Sequence, residues 1–188
     1  MKTRSPDPRL IIPTLWCLAL AAVACADRSA EVGSALLPAQ LHGLQLVESH
    51  SGEEAEGIIA RLHKGDMAPA QTEIGIYGSE GMRAELYISV FNNSQDATSQ
   101  FESMVDGIMA GVPGFGHHTH FQVDEQDVHM VFGDGRVNYF FCAGERLSWL
   151  GANPLIARAA IAELLEVDLD LIPELPGMGS NPSQPERS

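Results

Sequence analysis

Apolar and polar residues alternate along several short segments of this chain, which is typical of β-strands that place one face on a core. The clearest case is the segment 83–91, in which every second residue from Leu86 to Val90 is apolar. Residues 41–48 and 72–77 are predicted to form two earlier strands, and the glycines in the segment 78–81 predict a turn before the third.

Segments with helical periodicity lie between and after these strands. Between residues 53 and 63 the apolar residues recur three and four positions apart, which predicts a short amphipathic helix. A longer helix is predicted from Ala97 to Ile108, with Asn93 or Ser94 as its N-cap. Residues 155–165 are apolar nearly all round, so a last helix is expected to be covered by the sheet on one side and by another helix or a second subunit on the other.

A meander of four antiparallel strands is predicted after the glycine-rich segment 111–116. Asp134–Gly135 is the strongest hairpin signal, because both central positions of a type I′ turn need a positive φ. This turn brings apolar residues face to face: Phe132 with Val137, Met130 with Tyr139, and Val128 with Phe141.

The same reasoning sets the registers on either side of that hairpin. A three-residue loop at Ala143–Glu145 is expected to place Tyr139 opposite Trp149. An even-numbered loop near Glu125–Gln126 is expected to pair Phe121 with Met130 and Val123 with Val128. The whole pattern predicts an α+β fold with a mainly antiparallel sheet, a C-terminal four-strand meander and about three helices packed mostly on one face.

The N-terminus has the pattern of an export signal. Basic residues up to Arg9 precede the apolar run Leu10–Val23, whose 14 residues are too few for a membrane span, which needs about 20. Residues 22–25, Ala-Val-Ala-Cys, indicate a lipobox that would make Cys25 the acylated first residue of a bacterial lipoprotein. Ordinary cleavage after one of the two neighbouring alanines is the alternative.

Four parts are predicted along the chain. Residues 1–24 form the cleaved signal, 25–38 a flexible tether, 39–172 a single α+β domain, and 173–188 a disordered tail rich in Pro, Gly and Ser. We therefore expect the protein in the periplasm, or anchored on the outer side of the cytoplasmic membrane or on the outer membrane.

Charge and the lack of catalytic motifs narrow the function classes. The formal net charge of −14 makes nucleic acid and anionic lipid surfaces poor partners. The expected partner is an envelope protein or a second copy of the chain, and the membrane is reached through a lipid on Cys25. Cys142 stands alone in an apolar run and is predicted to be a buried thiol. A non-catalytic binding module, for which no cofactor is expected, is favoured over an enzyme.

Histidines are concentrated between residues 117 and 129. In the predicted register His118, His120 and His129 share one sheet face, with His120 and His129 as diagonal neighbours. Neutral imidazoles suit Zn²⁺, Cu²⁺ or Ni²⁺, and Asp127 or Asp124 could complete such a site. The spacing matches no established metal motif, and solvated or aromatic-packed histidines are the other interpretation. A metal- or small-ligand-binding protein built on these histidines is therefore the alternative function.

Overall fold

The computed structural model describes residues 36–62 and 68–176 of the 188-residue chain. The predicted export signal, Cys25 and most of the predicted tether and tail lie outside the described residues. Across those two described ranges, no helix is long and apolar enough to cross a membrane.

Eight strands in the described part of the chain form one antiparallel sheet. They are β1 (Gln40–Leu41), β2 (Leu44–Ser51), β3 (Gln71–Ser79), β4 (Met82–Val90), β5 (Phe115–Val123), β6 (Gln126–Gly133), β7 (Arg136–Ala143) and β8 (Arg146–Ala152). Their order across the sheet is β1-β2-β3-β4-β8-β7-β6-β5, so β8 joins the C-terminal meander to the first four strands. The predicted α+β class with an antiparallel sheet and a four-strand meander is confirmed.

The helices of the described ranges are α1 (Gly52–Leu62), α2 (Ser94–Met109) and α3 (Ala157–Leu165), followed by a short 3₁₀ helix (Leu169–Leu171). Asn93 is the N-cap of α2, because its side-chain oxygen accepts a hydrogen bond of 2.9 Å from the backbone N–H of Asp96. Helices α1 and α2 share one face of the sheet, and α3 packs on the opposite face.

The larger hydrophobic core lies between the sheet and α3. Its fully buried members include Tyr77, Leu86, Tyr139, Leu150 and Ile161. Two smaller clusters lie on the other face. In one of them Ala55 and Ile59 of α1 pack on Ile74, and in the other Ala97 of α2 packs with Phe91 and Leu147. Both faces of the central strands are therefore covered by helices.

The hairpin at Asp134–Gly135 has the predicted geometry. Both residues have positive φ, 52° and 72°. Their strands pair as expected, with Phe132 opposite Val137, Met130 opposite Tyr139 and Val128 opposite Phe141. The turn signal and the burial pattern therefore agree on one register.

The predicted register between β5 and β6 is wrong by two residues. Phe121 lies opposite Val128 instead of Met130, and the strands are joined by a two-residue turn at Asp124–Glu125. Both turn residues have positive φ, 46° and 68°, which is uncommon for residues other than glycine. A shift of two residues keeps every side chain on its face, so the apolar pattern alone could not distinguish the two registers.

The predicted register between β7 and β8 is wrong by one residue. Gly144 and Glu145 form a two-residue turn, so that Trp149 lies opposite Phe140 and Leu150 lies opposite Tyr139. Trp149 therefore belongs to the face of α1 and α2, not to the face of the larger core. Strand β8 is apolar on both faces because helices cover both, and alternation could not set its register.

Packing extends beyond the predicted limits 39–172 of the domain at both ends. Leu37 before β1 and Leu175 near the C-terminus are buried in the larger core. Arg158 of α3 holds the C-terminal segment through Nη2, which donates a hydrogen bond of 2.6 Å to the backbone oxygen of Ile172. This segment packs on α3 where the sequence predicts another helix or a second subunit.

Candidate functional site

The three predicted metal ligands lie together on the sheet face that α2 covers. His120 of β5 is directly opposite His129 of β6, so the predicted diagonal relationship is replaced by a closer one. Nε2 of His118 lies 2.9 Å from Nδ1 of His129, within hydrogen-bond distance. The ring centroids of His118 and His120 lie 5.1 and 5.2 Å from that of His129.

His118 joins this cluster while His117 does not, and a β-bulge lies at this point of β5. The pairing with β6 shifts between Gly116 and Thr119, and His117 there has a φ of 54°. The ring of His117 contacts Phe132, on the face of the larger core. Alternation along β5 therefore places the two neighbouring histidines on opposite faces, and the bulge shifts only the pairing of Phe115 and Gly116 by one residue.

His129 is the most enclosed histidine of the three. The edge of Phe101 from α2 and the ring of Phe140 each lie 5.2 Å from its ring centroid. Burial lowers the pKa of His129, and the neighbouring His118 and His120 lower it further, against an opposing effect of Asp127. The imidazole of His129 is therefore held neutral at neutral pH, with a lone pair available as an acceptor or ligand.

The carboxylates proposed to complete the cluster differ in position. Asp127 lies beside His120, with its Oδ1 3.8 Å from His120 Nε2. Asp124 lies in the turn between β5 and β6. No group of three or more His, Cys, Asp or Glu side chains in the described ranges has the arrangement of a metal site. The conformation therefore brings the three imidazoles together without converging their nitrogens on one point.

A series of aromatic rings in contact connects these histidines to the middle of the sheet. Trp149 of β8 stacks on Phe140 of β7, with centroids 5.0 Å apart and planes 14° apart. Phe140 in turn contacts His129, and the edge of His129 meets the edge of His118 through the hydrogen bond between their ring nitrogens. Aromatic side chains thus contact one another across four adjacent strands on the face of α1 and α2.

A groove of about 850 Å³ lies on the same face, between α1 and α2. Its floor is formed by strands β4, β7 and β8 and includes Tyr87, Leu147 and Trp149. Helix α2 contributes Met104, Gly107 and Ile108, and helix α1 contributes Ile59 and Leu62. The volume lies within the range of small-molecule sites, and most of the lining side chains named here are apolar. The pattern of apolar and polar residues does not predict this groove.

One end of the groove is polar and centred on Glu85. Its carboxylate accepts hydrogen bonds from Arg136 Nη1 at 2.7 Å, Arg83 Nε at 3.1 Å and Tyr87 Oη at 3.0 Å. Burial raises the pKa of Glu85, but the hydrogen bond and charge of Arg136, with smaller effects of Tyr87 and Arg83, hold it below its usual value. Burial and the Glu85 charge raise the pKa of Tyr87 to about 12. Glu85 is therefore ionised and Tyr87 protonated at neutral pH.

Asn138 lies beside the same end of the groove. Its side-chain oxygen accepts a hydrogen bond of 3.2 Å from Trp149 Nε1, and its amide nitrogen donates one of 3.4 Å to the backbone oxygen of Gly133. The Trp149 ring is thereby fixed from one edge, while Phe115 contacts it at a centroid distance of 5.7 Å. The aromatic floor of the groove is held in a defined orientation.

Cys142 is a free, partly buried thiol that packs against the α2 cluster. Burial raises its pKa, against a smaller opposing hydrogen bond with Thr98. This environment disfavours the reactive thiolate.

The groove could have been found from the sequence only through its polar end. Glu85 and Asn138 lie within strands whose neighbouring residues are mostly apolar. Polar groups inside such strands need partners, and a site is one way of providing them. Comparison with protein-family models, with curated proteins and with solved structures finds no match.

Proposed function

We propose that this chain is a non-catalytic binding protein whose groove between α1 and α2 takes a small amphipathic organic anion. The proposal rests on one observation. The groove has an apolar, aromatic body and a polar end that contains the guanidinium group of Arg136. Concave sites that are mostly apolar, with a few placed polar groups, are the usual form of small-molecule sites.

The apolar part of the ligand is assigned to the floor. Tyr87 and Trp149 present ring surfaces, and Met104 and Ile108 of α2 face them across the groove. Leu62, which lines the groove at the end of α1, is 62% exposed. Contact with an apolar ligand would remove such surface from water, at about 25 cal/mol per Å².

The anionic part of the ligand is assigned to Arg136. Two guanidinium groups, those of Arg83 and Arg136, neutralise the single carboxylate of Glu85. Nη1 of Arg136 contacts Glu85, and its other N–H groups have no hydrogen-bond partner among the described residues. Asp134 also lines this end but is exposed to water. A carboxylate or sulfonate could accept the remaining donors of Arg136.

The net charge of the chain, −14, opposes the approach of an anion at long range. At physiological ionic strength the screening length is about 8 Å, so charges close to the ligand dominate. Among the described residues Arg136 is the cation that lines the groove, and we assign the selection of the head group to it.

A blocking variant tests whether binding occurs in this groove. Gly107 lines the groove on α2, and a Cβ atom there would meet no atom within 4 Å. Gly107→Phe is expected to lower the affinity for 1-anilinonaphthalene-8-sulfonate, an amphipathic anion whose fluorescence rises in apolar sites. Gly57→Phe is the control, since Gly57 has equal space on α1 and is not part of the groove lining. Equal binding by both variants would exclude the groove.

We also propose that the protein is exported and anchored by lipid on Cys25, on the strength of the basic, apolar and small-residue segments at its N-terminus. Cys25→Ser is expected to move the protein from the membrane fraction to the soluble fraction of the envelope. An unchanged distribution would contradict lipidation at this residue.

An envelope protein or a second copy of the chain remains the proposed macromolecular partner. Sedimentation velocity over a wide range of protein concentration tests the second possibility, for which a mass that rises with concentration is expected. A constant monomer mass would leave the envelope protein as the partner to be sought by cross-linking in intact cells.

A further inference from the structure

Tyr87 of β4 and Trp149 of β8 are register partners on the face of α1 and α2, and both line the groove. The Cβ atoms of directly opposite residues are only about 4.5–5.5 Å apart, so two rings in such positions normally meet. Among the described residues, however, the rings in contact with Trp149 are those of Phe140 and Phe115. Tyr87 and Trp149 therefore form two separate walls of the groove.

Other partners hold these two rings apart. Tyr87 packs with the α1 cluster, and its Oη donates a hydrogen bond of 3.0 Å to Glu85 of its own strand. Trp149 is held toward β7, where it stacks on Phe140 and its Nε1 donates to Asn138. Because this stack runs across the strands, the second face of the Trp149 ring is directed toward Tyr87. We call the space between the two rings the ring slot.

The ring slot suits a flat, unsaturated group better than a saturated one. Stacked or edge-to-face aromatic pairs are worth about 2- to 10-fold in affinity beyond the burial of their surface. A saturated ring is thicker and has no π face to offer to Tyr87 or Trp149. Met104 of α2 lines the groove opposite these rings, and a thioether also contacts aromatic ring edges favourably.

The distance from the ring slot to the polar end limits the length of the ligand. Glu85 and Gly151 are register partners two residues away from Tyr87 and Trp149, a step of about 6.6–6.8 Å along the strands. The Arg136 guanidinium lies at the level of Glu85, with Nη1 2.7 Å from its carboxylate. A charged hydrogen bond takes about 2.7–2.9 Å of that step. Only a short link between ring and anionic group fits the remainder.

We propose that the ligand is an aromatic carboxylate or sulfonate whose ring inserts between Tyr87 and Trp149 while its anionic group binds Arg136. The anionic group is joined to the ring directly or through one or two atoms. This inference rests on the proposed function, because it keeps the same groove and the same cation and adds the identity of the apolar part of the ligand.

A matched pair of acids tests the ring slot. 2-Naphthylacetate and decahydro-2-naphthylacetate have the same carbon skeleton and charge, but only the first is planar and aromatic. Calorimetric titration of the full chain is expected to show that naphthylacetate binds about fivefold more tightly or better. Burial of apolar surface alone favours the saturated acid, which has at least as much of it. Equal or tighter binding of the saturated acid would overturn the ring slot and leave the proposed function intact, whereas binding of neither acid would overturn both.

Single replacements locate the inserted ring. Trp149→Leu and Tyr87→Leu are each expected to remove most of the preference for naphthylacetate. Trp149→Phe and Tyr87→Phe are expected to retain it, because a ring remains in each wall, and they keep the test valid if a leucine variant does not fold. Phe121→Leu is the matched control, since Phe121 contacts Tyr139 on the opposite face of the sheet. A preference that survives both leucine variants, or an equal loss in the control, would overturn the proposal.

Nuclear magnetic resonance gives a readout that depends on stacking. The indole N–H resonance of Trp149, identified by its absence from Trp149→Phe, is expected to shift through the ring current of bound naphthylacetate and to shift less with the saturated acid. Equal shifts with the two acids would contradict insertion beside Trp149. Arg136→Gln is expected to weaken both acids by a similar factor and to leave the ratio of their affinities unchanged, so failure of the anion site and failure of the ring slot are distinguishable.

Discussion

Arg136 of β7 and Glu85 of β4 form an ion pair across the intervening strand β8, with Nη1 2.7 Å from Oε2. Gly151 of β8 is the register partner of Glu85 on one side and of Asn138 on the other. A Cβ at Gly151 would be in ordinary van der Waals contact with the Arg136 side chain, 3.7 Å from both Cδ and Nη1, but it would lie only 2.8 Å from Asn138 Oδ1. The position of the Asn138 side chain at the polar end of the groove therefore depends on the absence of a side chain at Gly151.

Gly151→Ala is expected to destabilise the fold by about 1–3 kcal/mol, since a Cβ there would lie 2.8 Å from Asn138 Oδ1 and force that side chain away from Trp149. Chemical denaturation measures the change in the free energy of unfolding. Gly116→Ala is the control, because Gly116 is also in a strand but a Cβ would meet no atom within 4 Å. An equal effect of both substitutions would contradict this account of Gly151.

Glu85 is expected to make stability depend on pH in the acid range. Its pKa is lowered in the folded state, so its contribution is fully present above the unfolded value of about 4.3 and is lost as pH falls through the lower folded value. Glu85→Gln removes this contribution. The difference in unfolding free energy between wild type and Glu85→Gln, measured by denaturation from pH 7 to pH 3, is expected to decrease below about pH 4.3. A difference that is constant over this range would show that the carboxylate pairing contributes nothing.

Gly107→Ala is expected to stabilise α2 by about 0.5–1 kcal/mol, because the methyl group enters open space and alanine has the higher helix propensity. The midpoint of urea denaturation is the measurement. Gly57→Ala in α1 is expected to give a similar gain, since it also has no atom within 4 Å. Destabilisation at Gly107 alone would mean that another part of the chain fills the groove at that point.

Arg158→Met is expected to cost about 1.5–3 kcal/mol and to release the C-terminal segment. The Arg158 side chain is 22% exposed and its Nε and Nη2 atoms donate to the backbone oxygen of Ile172 at 3.2 and 2.6 Å. Hydrogen exchange of residues 168–176 is the local readout. Glu174→Gln, which removes only the exposed partner of the ion pair, is expected to cost less than about 1 kcal/mol. Unchanged hydrogen exchange of this segment in Arg158→Met would show that Arg158 does not hold the segment in place.

The sequence could predict those features that depend on local chemistry. The Asp134–Gly135 turn fixed its own register because its two positive φ values leave few alternatives. The histidine face was also predicted, although the β5–β6 register was wrong, because an error of two residues preserves the faces. The β7–β8 register was wrong by one residue, which placed Trp149 on the wrong face of the sheet. The aromatic floor of the groove could therefore not be predicted. The groove itself depends on the distance between α1 and α2, which no local pattern encodes.

The most direct measurement compares two probes that differ by one sulfonate group, anionic 1-anilinonaphthalene-8-sulfonate and uncharged N-phenyl-1-naphthylamine, by fluorescence titration. The wild-type chain is expected to bind the anion more tightly. In Arg136→Gln this preference is expected to fall by about tenfold or more, the equivalent of one charge-assisted hydrogen bond. Arg83→Gln is expected to keep the preference, because Arg83 contacts Glu85 without being part of the groove lining. Equal affinities for the two probes in the wild-type chain would contradict a site for organic anions.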